Sequence, residues 1–295
     1  MSSLLTFFLI AFAVTWTCWI AVIKIPLEGI LRTVVFITGV FAPAFAAIIV
    51  TRANEGAAST RALLARMLQW RVDPRLYLFA VSYMAAVKLL TAVIYRIIEG
   101  AWPAFGQVPV PLLFVAICVS TPVQSGEELG WRGYALPRLA QRMGYAWASL
   151  VLGLIWACWH LPQFYVTGYD TTGQSFPIWA VQVVAVSVAM AWLFVGARGS
   201  LFLTMLMHSA INQTSGIVSG AVPGANDVFA LHASRVTYIT TTILWIMAAY
   251  FLVRMTQTER TNTSAGDNSG IPVPGASHVS SAVEQGPIRS ARLEP

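Results

Sequence analysis

Eight runs of predominantly apolar residues divide the chain, at roughly 4–23, 30–51, 76–97, 108–126, 147–163, 177–197, 201–218 and 236–254. Each lies near the length of about 20 residues, with a range of roughly 17–25, that a helix needs to cross hydrocarbon. The fourth, fifth and seventh runs are short or interrupted, and they hold the unusual polar residues. No basic stretch precedes the first run and no small-x-small cleavage site follows it, so it reads as a helix and not as a signal peptide. Residues 132–146 (RGYALPRLAQRMGYA) read as an amphipathic helix lying at the interface. After Arg254 the composition turns to Thr, Ser, Gly, Pro and scattered charge, which cannot bury a core. The expected fold is all-α, a polytopic membrane helix bundle of about eight transmembrane helices. It is organised as N-terminal transmembrane helices (1–107), a chemistry-bearing transmembrane core (108–254) and a disordered cytoplasmic tail (255–295).

Composition supports the bilayer reading. Of the 295 residues, 57% are hydrophobic and only 10% are charged, against about 25% charged in a soluble domain. The net charge of +6 does not point to nucleic acid, because the arginines cluster between apolar runs and not along one stripe. Arg52, Arg61, Arg66, Arg71, Arg75, Arg132, Arg138, Arg142, Arg198, Arg254 and Arg260 fall into connections that an eight-span chain places on the side of its N-terminus. Lys24, Arg32, Arg96 and Arg235 fall on the other side. Positive charge marks the cytoplasmic side, so both termini are expected in the cytoplasm. Cys18, Cys118 and Cys158 sit in apolar runs without metal spacing and read as small core hydrophobes. No internal repeat suggests a transporter of duplicated halves.

Ionisable groups inside a membrane are costly and mark candidate sites. Three segments concentrate them: Ser125-Gly126-Glu127-Glu128-Leu129-Gly130-Trp131-Arg132, Trp156-Ala157-Cys158-Trp159-His160-Leu161-Pro162, and His208-Ser209-Ala210-Ile211-Asn212-Gln213. Glu128 and Arg132 are four apart, share a helix face and can pair. Glu127 lies about 100° round the helix and is left free for chemistry, so that burial without a cation would make it a general base. Trp156 and His160 share a face, and Pro162 ends or kinks the helix just beyond. His208 and Asn212 share another face and can donate two hydrogen bonds to one oxyanion, or help ligate a metal. Each segment also has a plainer reading: interfacial charge, a hydrogen-bonded core histidine, and polar packing between helices. His232 and His278, in a loop and the tail, carry no functional reading.

Taken together, the segments supply a base (Glu127), a partner for it (His160), oxyanion donors (His208, Asn212) and structural support (Glu128, Arg132, Trp156). No HExxH helix, GxSxG elbow, intramembrane Ser/His pair or P-loop is present, which disfavours zincin, serine-protease and nucleotide-driven pump readings. A non-catalytic membrane scaffold and a proton-coupled transporter using Glu127 and His160 as relays remain as alternatives.

At these residues the chain resembles the CAAX-protease and bacteriocin-processing (CPBP, or Abi) family of membrane enzymes. That family's pattern is EExxxR, then FxxxH, then HxxxN. It reads here as Glu127-Glu128-Leu129-Gly130-Trp131-Arg132, Trp156-Ala157-Cys158-Trp159-His160 and His208-Ser209-Ala210-Ile211-Asn212. Trp156 stands where the family usually has Phe. The resemblance covers roughly 110–220 and implies a membrane endopeptidase acting on a peptide or protein substrate at the lipid bilayer. The family is similar to the eukaryotic type II endopeptidase that removes the last three residues of prenylated CAAX proteins. Bacteria generally lack such substrates, so a member in a bacterial inner membrane, the expected location, would cut something else.

Two mechanisms stay open at this level. In one, without a cofactor, Glu127 and His160 activate water and His208 and Asn212 hold the oxyanion. In the other, a zinc ion bound by Glu127, His160 and His208 does so. One geometric demand accompanies both. Counted from Trp147, His160 lies 13 residues, or about 20 Å, into the fifth run. Glu127 sits at the end of the fourth, nominally at the cytoplasmic side. Their levels agree only if the fourth helix continues, which predicts helix and not loop at 127–135, with a bend at Pro137.

Overall fold

The computed structural model describes residues 2–169, 171–222 and 227–264. The expected tail beyond residue 264, with His278, lies outside them. The fold is all-helical. The principal helices are α1 (Ser3–Lys24), α2 (Gly29–Ala65), α3 (Pro74–Glu99), α4 (Val110–Ser120), α5 (Ser125–Glu128), α6 (Leu136–Trp159), α7 (Phe176–Gly196), α8 (Leu201–Thr214) and α9 (Arg235–Ser264). Local sequence sets their ends. The Ser2 hydroxyl accepts from Leu5 N at 3.3 Å and Asp73 accepts from Arg75 N at 2.9 Å, with Pro74 as the first residue of α3. Ser200 caps α8 by accepting from Leu203 N at 3.2 Å.

Six described helical stretches are long and apolar enough to cross a membrane, against the eight expected. The difference has two causes. The fourth and fifth runs belong to one stretch, Val110–Tyr165, and α8 has only 14 residues, about 21 Å of helix. Two connections are also more ordered than expected. Most of the connection after residue 51 continues α2, past a non-helical Gly56, to Ala65. The last helix runs ten residues beyond Arg254, to Ser264.

The stretch Val110–Tyr165 settles the question of levels. After α5, residues Leu129–Ala135 form a π-helical segment that leads directly into α6. The expected helix at 127–135 is therefore present. The bend is not at Pro137, which sits in the first turn of α6, but at Gly144, where φ is 74° and ψ is 162°. There the chain doubles back. Glu127 lies 17 residues before Gly144 and His160 lies 16 after it, about 25 and 24 Å of helix. Arms of nearly equal length bring the two side chains level. Residues 131–137 are accordingly buried, so the interfacial helix expected over 132–146 is instead the inner arm of a helical hairpin.

One apolar core runs from Phe7 to Met255 and joins the N-terminal helices to the motif-bearing ones. The arginines gather at one end of the bundle. There Arg138 pairs with Glu55, Arg66 Nε donates to Gly199 O at 2.9 Å, and the Glu259 carboxylate accepts from Tyr145 N. At the other end Arg235 pairs with Glu99, and Arg32 donates to Thr167 O at 3.2 Å. Cys118 and Cys158 are exposed and Cys18 is half-buried. They are not core residues as expected. They lie on the outer, apolar surface of the bundle, where a thiol is tolerated as a small apolar group.

Candidate active site

The site begins with close helix packing. Gly126 and Gly130 face α2 with no room for a side chain. A Cβ on Gly130 would lie 2.6 Å from the Pro43 Cβ and 2.7 Å from its carbonyl oxygen, and one on Gly126 would lie 2.9 Å from the Phe41 ring. These absences let α2 approach the backbone of α5 and the π segment. Glu127 (6% exposed) and Glu128 (0%) are thereby carried into the interior. π-helical insertions of this kind turn successive side chains away from the regular 100° step and recur at functional sites.

Glu128 points into the core. Its Oε1 accepts from Arg132 Nη1 at 2.9 Å and from His208 Nδ1 at 2.8 Å. The pairing read from the four-residue spacing is present, with the addition of a histidine 80 positions away. The Arg132 guanidinium also lies over the Trp156 ring, 4.3 Å from its centroid, a cation–π contact strengthened by exclusion of water.

Glu127 points the other way. Its Oε2 accepts from Trp156 Nε1 at 2.7 Å and lies 3.9 Å from His160 Nε2. That second distance is too long for a direct hydrogen bond, but suits a water between the two groups. His160 Nδ1 lies 2.8 Å from the Trp156 carbonyl oxygen, which can only accept, so Nδ1 carries a proton. In the neutral ring Nε2 then presents a lone pair towards Glu127. The imidazole is walled by aromatic rings, with Trp159 at 4.6 Å, Trp179 at 5.1 Å and Trp156 at 5.4 Å between centroids. Trp159 is in turn fixed by α1, donating to Thr15 Oγ1 at 2.9 Å.

Glu127, Trp156, His160, His208 and Asn212 all line one cavity of about 260 Å³. Asn212 stands at its exposed side and His208 on its buried side. The hairpin and α8 thus bring together all the residues singled out in the sequence. The remaining walls include residues 215–221 and the segment after His160, both towards the arginine-poor end. Glu127 therefore lies nearer that end, and not at the arginine-rich end where the fourth run was expected to leave it.

Among the described residues no group of three His, Cys, Asp or Glu side chains is arranged to hold a metal ion. Glu127, His160 and His208, the alternative ligand set, do not form such a group. Glu128 is committed to Arg132 and His208.

Two contributions escaped the sequence reading. The rings around His160 come partly from α7, through Trp179, and from α1, through Trp19 at 6.4 Å between centroids, and neither helix carries a motif. The second is Lys88, a lysine in the middle of α3 whose side chain lines the same cavity. A charge inside an apolar run was the signal that flagged the glutamates, and it applied equally to Lys88.

Fold and site together define an integral membrane helix bundle with a buried glutamate–histidine centre. Residues 107–214 match the family of type II CAAX prenyl endopeptidases, described as Rce1-like. A relative from Methanococcus maripaludis, CAAX prenyl protease 2, is 32% identical over 111 residues, which are 35% of this chain and 39% of that protein. The chain thus aligns with about two fifths of the curated relative's length. The matched residues contain all three motifs, so the CAAX-protease resemblance drawn from them is supported by an independent comparison.

Proposed function

We propose that the chain is a membrane endopeptidase of the CAAX-protease type, hydrolysing a peptide bond of a membrane-associated substrate with water activated by Glu127 and His160. The observation that carries the reading is the Glu127 carboxylate on the cavity wall, oriented by Trp156 and facing His160 Nε2 at 3.9 Å. A water held between Glu127 and His160 gives up a proton to one of them as its oxygen attacks the scissile carbonyl. The developing oxyanion is met by the Asn212 amide and by the His208 ring, which Glu128 Oε1 holds through Nδ1 at 2.8 Å. The proton then passes to the leaving amine. Glu128 and Arg132 hold the helix and the His208 ring in place.

By the positive-inside rule we place the arginine-rich end, and with it both described termini, in the cytoplasm of a bacterial cell. The cavity then opens towards the opposite face. Labelling of single cysteines by a membrane-impermeant maleimide in intact cells tests this, with reaction expected at Ser219→Cys and none at Arg61→Cys. The reverse pattern inverts the topology.

Comparative proteomics of membrane and secreted fractions from wild-type and Glu127→Gln cells identifies the substrates and tests the reaction. Products present in the wild type should be missing from the variant. Cleavage at an unchanged rate in both Glu127→Gln and His160→Ala would remove the assignment.

A further inference from the structure

Lys88 is one of only two lysines in the chain. It is 8% exposed and lies in the interior of α3, a helix apolar enough to span a bilayer. Its ammonium donates to the Val218 carbonyl at 3.1 Å. Among the described residues no carboxylate stands within ion-pair distance of it, although four other basic side chains besides the ring of His160 do have such partners. A buried lysine without an acid is unusual, since taking an ammonium out of water is costly unless a negative partner repays it. A single carbonyl offers only part of that return, and two of the ammonium's three donors remain for something else.

The something else has a place to sit. Lys88 lines the cavity that also presents Glu127 and His160, and Met84, one turn earlier on α3, lines it too. Beside them stand the Gln182 side chain and the hydroxyl-bearing Thr237 and Thr240, a wall suited to the amides and carbonyls of an extended peptide. The cavity therefore contains a base at one part of its wall and an uncompensated cation at another.

We infer that Lys88 is the anchor for a carboxylate of the substrate, either its C-terminal carboxylate or an acidic side chain near the scissile bond. This rests on the peptidase reading above and adds to it a substrate class: peptides that carry a negative group a fixed distance from the bond cut. The ion pair would form in a site screened from water, where a charge-assisted contact discriminates strongly between an acid and its amide.

Binding to the full-length Glu127→Gln protein in detergent micelles separates recognition from hydrolysis. The probes are short fluorescein-labelled apolar peptides that differ only at the end: a free acid, an amide, and an amide with glutamate as the penultimate residue. The free acid, the glutamate amide or both should bind at least about tenfold tighter than the plain amide, and which of them does identifies the source of the carboxylate. Adding Lys88→Met should abolish that preference, and adding Lys88→Arg should retain most of it. In the otherwise wild-type enzyme Lys88→Met should raise KM for the preferred peptide with a much smaller change in kcat. A preference that survives Lys88→Met, or the absence of any preference or any peptide binding in the Glu127→Gln protein, overturns the inference. So does a loss that Lys88→Arg and Lys88→Met share equally, which is the mark of a lysine that only fixes the Val218 segment. If instead the preference depends on Lys88 while Glu127→Gln still cleaves, the anchor stands and the catalytic assignment of Glu127 falls.

Discussion

Glu127 and Glu128 are adjacent in the chain and live in different surroundings. Glu128 is wholly buried and spends its Oε1 on two cationic or cation-forming groups, Arg132 and His208. Glu127 is held by one neutral donor, Trp156 Nε1, and otherwise faces a cavity and an imidazole nitrogen. One carboxylate is bound through Oε1 to two donors in the core, the other is oriented but faces the cavity. The lesson is that chemical identity and burial do not separate a brace from a base. The number and charge of the hydrogen-bond partners do, because a carboxylate held by two charge-assisted bonds is fixed in place, whereas one with a single neutral donor can still meet a water.

Substituting each in turn is the strongest way to break that comparison. Glu127→Gln keeps the shape and removes the base, so peptide hydrolysis should fall by about 10²- to 10⁴-fold, with the thermal unfolding midpoint in detergent nearly unchanged. Glu128→Ala should do the reverse in emphasis. It leaves Arg132 buried beside an emptied position and should cost about 3–5 kcal/mol of stability, seen as a large drop in that midpoint, with activity lost as a consequence of the damaged fold. If Glu128→Ala is stable and inactive while Glu127→Gln is active, the two roles are exchanged.

The next largest effect concerns the packing that buries the pair. In Gly130→Ala the new methyl would press on the Pro43 backbone, which cannot move aside as a flexible side chain would. Overpacking of this kind costs about 1–3 kcal/mol. Both glutamates depend on the same helix approach, so stability and turnover should fall together. A fully active, fully stable Gly130→Ala would show that the close approach of α2 is not what positions them.

Trp156→Phe sharpens the comparison with a smaller change. It keeps an aromatic face for Arg132 but deletes the N–H that orients Glu127. A buried hydrogen bond to a charged group is worth about 1.5–3 kcal/mol. The resemblance, however, places Phe at this position in related enzymes. Activity should therefore drop within about tenfold and the unfolding midpoint modestly, measured on the same peptide. A collapse as deep as that of Glu127→Gln would make the indole N–H part of the chemistry and not only of the positioning.

Local features of the site were legible in the sequence, and features that depend on the path of the chain were not. The Glu128–Arg132 pair follows from a four-residue spacing, and the end of α6 near His160 follows from Pro162. The meeting of Glu127 with Trp156, 29 residues apart, needs the reversal at Gly144. That glycine is inconspicuous beside Pro137, yet Pro137 fits the first turn of a helix without bending it. The count of eight took each apolar run as a separate helix, whereas by length and apolarity six described stretches qualify, since the fourth and fifth runs are continuous and α8 has 14 residues. The rings of Trp159 and Trp179 around His160, and the support of Trp159 by Thr15, come from tertiary packing that no periodicity encodes. Lys88 was visible as a charge in an apolar run, but without the cavity it had no site to belong to.

The smallest expected effect is that of a chelator, and it follows from the same contrast. A metal centre built from these side chains needs at least three donors free to converge. Glu128 is occupied by Arg132 and His208. What remains is three donors, the Glu127 carboxylate and the two Nε2 atoms, and among the described residues they are not grouped as a metal site. The purified protein, dialysed against chelator and measured on the same peptide, should therefore hydrolyse at its original rate, with metal content well below one per chain by elemental analysis. Loss of activity that stoichiometric zinc restores would show that substrate or solvent draws these donors together, and would move Glu127 from base to ligand.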